Sequence, residues 1–133
     1  MSTPVRDCPG PRSSGSDRGS AEPLFILPLV FVMLLGVVQT GLWAHAQHRA
    51  QAIASQALAA ARAYDGSAAS AYEQAGQARE QLGGGMLRQT EVDVRRGAAQ
   101  ARVRVEARMV SLLPGVALPV VSEVSGPVER LAP

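Results

Sequence analysis

Lysine is absent from this 133-residue chain, cysteine occurs once, and aromatic residues make up only 4% of it. Each shortage excludes something. One thiol cannot close an internal disulfide. The sole cysteine, Cys8, also precedes the long apolar run, whereas a lipoprotein cysteine would follow it. No Cys/His cluster has zinc spacing: His45 and His48 are i and i+3 on a helix, but no third histidine completes a site. The 13 basic residues are all Arg, dispersed against 11 acidic ones for a net charge of +2. A nucleic-acid surface needs a clustered basic face with aromatic platforms. Here only Tyr64 and Tyr72 lie beyond Trp43, so nucleic acid is not an expected partner.

Catalytic patterns are lacking as well. No strand leads into Gly83-Gly84-Gly85 and no G-K-[ST] follows, so the glycines form no phosphate loop. No serine sits in G-x-S-x-G. The expectation is a non-catalytic protein without cofactor or metal.

What the chain does contain is residues 23–44, PLFILPLVFVMLLGVVQTGLWA, 22 positions without a charged side chain. A helix of that length spans roughly 33 Å, which matches a bilayer core of about 30 Å and satisfies its backbone internally. The lipid bilayer is therefore the first expected partner. Pro28 lies one turn into the span, where a missing bond does less harm than at mid-helix. Gly36, Thr40 and Ala44 recur every fourth residue and define a small-residue stripe, a candidate helix-packing face. Trp43 fits an interfacial anchor.

Before the span, residues 1–22 are rich in Ser, Gly and Pro and read as a disordered leader. Arg6, Arg12 and Arg18 put that leader on the cytoplasmic side by the positive-inside rule. After the span, residues 45–133 form the extracytoplasmic part, helical over 45–82 and β over 86–130. Trp43, Ala46, Ala50, Ile53, Ala57, Ala60 and Tyr64 recur at spacings of three and four, which predicts a narrow, Ala-lined helical seam. Asp65-Gly66 breaks that helix. Ser67 or Ser70 then caps a second helix to about Leu82, with Ser70 and Glu73 at capping-box spacing.

Beyond the glycines the period falls from 3.6 to 2. Ala101, Val103, Val105, Ala107 and Met109 alternate with polar residues and predict a half-buried strand. The preceding LRQTEVDV alternates more weakly and, through the turn RRGAA, pairs with it as an antiparallel hairpin. VALPVVSEV, punctuated by Pro119, predicts a third strand at an edge. The fold class is α+β: a long N-terminal helix, half transmembrane, with a small antiparallel sheet of two or three strands against its outer half.

Arg18-Gly19-Ser20-Ala21-Glu22, the apolar run with Pro28, and Gly36-Val37-Val38-Gln39 together resemble the N-terminus of TadE-like proteins. Ser111-Leu112-Leu113-Pro114-Gly115, Leu118-Pro119-Val120 and Gly126-Pro127-Val128-Glu129-Arg130 extend the resemblance to about residue 130. It implies a pilin-like minor pilin or pseudopilin of a bacterial tight-adherence pilus or secretion system. Such a protein is single-pass in the cell membrane, with a cytoplasmic N-terminus. Its implied partners are other pilins, platform proteins and a prepilin peptidase that cuts after a glycine. Carried onto this chain, the processing site is Gly19–Ser20 and the assembly contact is Glu22, whose carboxylate would pair with a neighbour's terminal amine. Pilin-type processing leaves the glutamate fifth after the cut, whereas Glu22 is third after Gly19. Two other readings stay open: a generic single-pass subunit of an envelope complex, and a secreted protein cleaved after Ala46 at the A-x-A-like site Ala44-His45-Ala46.

Overall fold

The computed structural model describes Gly10 and residues 22–130. In chain order it contains α1 (Glu22–Arg62), α2 (Ala68–Leu82), β1 (Leu87–Arg96), β2 (Gln100–Met109) and β3 (Leu118–Pro127). The chain divides after Leu35 into two units.

The first unit contributes the start of α1. Pro28 lies inside the helix, near enough to its start that little is lost. Leu24, Phe25, Leu27, Leu29 and Phe31 are all more than 60% exposed. A continuous apolar surface that buries nothing of its own needs an apolar solvent, and α1 is long and apolar enough to cross a membrane.

The second unit, from Gly36, holds the core. Helix α1 runs through Ala44 and His45 without a break. Its alanines at positions 46, 50, 54, 57 and 61 are fully buried together with Ile53. The expected seam is thus present but displaced. Ala46, Ala50, Ile53 and Ala57 are in it, Ala60 is half-buried, and Trp43 and Tyr64 are exposed. Tyr64 drops out because α1 ends at Arg62 and the residue falls in the following turn. Ala54, Leu58 and Ala61 join because α2, through Ala71, Ala75 and Ala78, packs into the same cluster as the sheet and widens the buried stripe.

Ser67, not Ser70, caps α2. The helix begins at Ala68, so its third residue is Ser70. Ser70 N–H donates to Ser67 Oγ at 3.0 Å and Ser67 N–H donates to Ser70 Oγ at 2.9 Å. The capping box is therefore Ser67/Ser70 rather than Ser70/Glu73. Gly83 ends α2 by donating to the Arg79 carbonyl at 2.8 Å. Gly84 follows at φ +51°, where a Cβ would also meet an Arg49 nitrogen at 2.7 Å. The left-handed backbone favours glycine there, while the Arg49 side chain could swing aside.

The sheet is a meander of order β1-β2-β3 with both pairings antiparallel. β1 runs two residues past the expected LRQTEVDV and takes in Arg95 and Arg96 of the expected turn, β2 falls where expected, and β3 is shifted, starting at Leu118 rather than Val116 and ending at Pro127 rather than Val124. β2 is central and alternates as expected: Ala101, Val103, Val105, Ala107 and Met109 are buried and the residues between them exposed. The β1–β2 register shifts between Arg88 and Glu91, where Gln89 takes a left-handed φ of 50°, as an extra residue in one strand demands. Ile53 is among the largest fully buried side chains. Replacement Ile53→Ala should cost about 2–5 kcal/mol, seen as an earlier urea midpoint for loss of β-sheet circular dichroism from the full chain in mild detergent.

Candidate membrane-anchor and assembly site

The candidate site residues fall on α1 or just ahead of it. Gly19 and Ser20 lie outside the described residues. Glu22 is the first residue of α1. Gly36 and Thr40 are exposed and Ala44 is half-buried. Nothing would meet a Cβ added at Gly36 or Gly41. The Thr40 hydroxyl donates to the Gly36 carbonyl at 2.8 Å, so its polar group is satisfied within the helix and the stripe stays free for close packing or lipid.

Next to this stripe lies Gln39, a polar residue within the apolar run and only 8% exposed. Its Oε1 accepts from the Leu112 backbone N–H at 3.1 Å, tying the β2–β3 loop to the helix. Its Nε2 is buried with no partner, a loss of about 1–3 kcal/mol, so the loop is held by one favourable bond set against one unpaired donor.

Sequence reasoning missed how α1 protects the sheet. Trp43 Nε1 donates to the Pro119 carbonyl at 3.2 Å, Gln47 Nε2 to Val121 at 2.5 Å, and Arg62 Nε to Pro127 at 2.8 Å. All three acceptors are odd-numbered positions of β3, hence on one backbone edge. An unpaired edge invites foreign strands, and here side chains of α1 occupy part of it. On the opposite edge, Tyr72 of α2 accepts through its hydroxyl from Val94 N–H at 3.2 Å. The residue types carried a weak signal: Trp43, Gln47 and Arg62 are long donors along one helix, but their partners depend on the sheet register.

His45 does not face a ligand cluster. Its Nε2 accepts from Arg49 Nε at 3.1 Å, while Arg49 Nη1 donates to the Leu82 carbonyl at 2.8 Å. The histidine helps orient an arginine that closes the end of α2. On the solvent face of the sheet, Arg104 bridges Glu106 at 2.6 Å and Glu123 at 3.3 Å, and Arg102 meets Glu123 at 3.3 Å. The hydrogen bond to Glu106 and its charge, reinforced by Glu123, hold Arg104 above its ordinary pKa. A raised pKa stabilises the fold below the ordinary arginine range and the effect is lost only in strong alkali. Exposed pairs of this kind add little to stability.

These elements define a class: an α+β protein whose one long helix is apolar and bare over its first half and forms the spine of a small meander sheet over its second. The family model for TadE-like protein matches residues 20–59. The match begins just ahead of α1 and ends within its last turn, so the similarity to TadE-like protein covers α1 and leaves the sheet outside it. The distal segments that resemble the family lie beyond the matched residues. Neither a curated protein nor a solved structure matches the chain.

Removing one of the edge donors tests their role. Gln47→Ala should cost about 0.5–1.5 kcal/mol of stability and speed hydrogen exchange in β3 more than in β2. Equal protection of β3 in the variant would show that the helix does not guard this edge.

Proposed function

We propose that this protein is a non-catalytic, membrane-anchored minor pilin or pseudopilin of a tight-adherence-type pilus or secretion system. The single observation that carries the reading is the TadE-like match over residues 20–59, which coincides with an exposed apolar helix. Physical chemistry gives that helix two uses in sequence. In the bilayer it anchors one chain. In a fibre the same surface packs against copies of itself, with Gly36, Thr40 and Ala44 permitting close approach. The sheet domain is the part carried outside the membrane, with the N-terminus on the cytoplasmic side.

In this reading a prepilin peptidase cuts after Gly19, and Glu22 becomes an assembly residue. A carboxylate in an apolar bundle is costly unless paired, and a neighbour's new terminal amine is a suitable partner. Other pilins and platform proteins are the partners that follow.

Deletion of the protein should abolish surface fibres or secretion while leaving the other components in place, and a normal fibre count removes the reading. Intact mass from the membrane fraction reports processing. A species lacking residues 1–19 is expected, whereas the full 13.9 kDa chain means a permanent anchor. Glu22→Ala should leave the protein in the membrane and lower the fibre count.

A further inference from the structure

The β2–β3 loop has a composition unusual for a connection exposed to water. Over residues 110–116, VSLLPGV, the side chains of Val110, Leu112, Leu113 and Val116 are 42%, 53%, 40% and 44% exposed. Four adjacent apolar groups on a short loop form a patch, which soluble surfaces avoid. Two bonds to α1 set its position: within the loop Leu112 N–H donates to Gln39 Oε1, and just past it, in β3, the Pro119 carbonyl accepts from Trp43 Nε1. Gln39 lies five residues before the end of the apolar run at Ala44, or about 7 Å along the helix axis. That depth is comparable to one interfacial layer of a bilayer, about 5–7 Å.

The sheet end beside the loop carries matching charge. Arg88 and Arg108 are direct cross-strand partners, an arrangement that repels. Both are exposed, and neither makes an ion pair among the described residues. Arg88 also borders a cavity of about 360 Å³ with Leu42, Met86, Val110 and Leu112. Apolar side chains thus lie at the level of the span's end, and the adjoining end of the sheet carries two guanidiniums outside any ion pair, with Glu91 and Glu106 sharing a concavity with Arg108. This pattern fits acyl chains bordered by lipid phosphates.

We propose that the β2–β3 loop is a second membrane contact: Leu112, Leu113 and Val116 enter the outer leaflet beside α1, and Arg88 and Arg108 bind headgroup phosphates. The inference rests on the reading of α1 as a membrane span. It gives the sheet domain a fixed height and tilt on the bilayer, since one helix alone leaves rotation about its axis free. The loop would have to leave lipid before the chain could be withdrawn into a fibre, which makes anionic lipid content a control on that step.

The test uses the full chain with Cys8→Ser and one new cysteine, at Leu113, Val37 or Ser125, carrying an environment-sensitive fluorophore. Each protein is reconstituted in phosphatidylcholine–phosphatidylglycerol vesicles with spin-labelled lipids as quenchers. The expected result is blue-shifted emission at Leu113, quenched best by a shallow spin label. Val37 is quenched by deeper labels and Ser125 by neither. Val37 quenched with Leu113 as red and unquenched as Ser125 overturns the loop contact and leaves the span intact. Blue emission at Leu113 without lipid quenching means that a second protein copy covers the loop, and also overturns it. An unquenched Val37 overturns the span itself. In the Leu113-labelled protein, the double replacement Arg88→Gln and Arg108→Gln should shift emission to the red in vesicles containing phosphatidylglycerol and not in pure phosphatidylcholine. An unchanged spectrum in the former overturns the arginine–phosphate contact.

Discussion

The burial of an alanine-lined helix face in one cluster with the sheet is the packing on which the domain depends. Ala46, Ala50, Ala54, Ala57 and Ala61 are fully buried, and with no side chain beyond Cβ they let α1 lie near its neighbours. That nearness brings Trp43, Gln47 and Arg62 within reach of the β3 carbonyls. A larger residue at any of the buried positions would force the layers apart, as overpacking does in dense cores. The polar bonds at the helix margins would stretch at the same time. Apolar packing and edge protection are therefore coupled through one spacing.

The same helix serves two solvents. Before Leu35 its side chains are bare and apolar, which suits lipid or a bundle of like helices. After Ala44 its inward face is alanine and its flanks carry donors. The change needs no break in the backbone, because a helix satisfies its own hydrogen bonds in either medium.

A small domain of this kind has little core to spare. Its largest fully buried side chains are Ile53, Val103, Val105 and Val120, and its ion pairs lie on the surface. Stability is thin in chains of this size, and the bonds from α1 and α2 to the sheet edges weigh more than they would in a larger protein. They also limit uncontrolled strand pairing.

Periodicity by itself determined the order of elements. The 22-residue apolar run, the three-four spacing after it, the glycine triplet and the two-residue alternation of β2 are local signals, and each acts through backbone geometry over a few residues. The long apolar helix, the break before Ser67, the hairpin and the edge position of β3 were legible for that reason. Only the tertiary structure decided which serine caps α2, since Ser67 and Ser70 are chemically alike and the start of the helix at Ala68 makes the choice. It also widened the seam to Ala54, Leu58 and Ala61, because α2 shares the buried stripe with the sheet. The bonds from Trp43, Gln47 and Arg62 to β3, and from Gln39 to Leu112, join residues more than sixty positions apart. Such pairings depend on register and layer spacing, which no local pattern encodes.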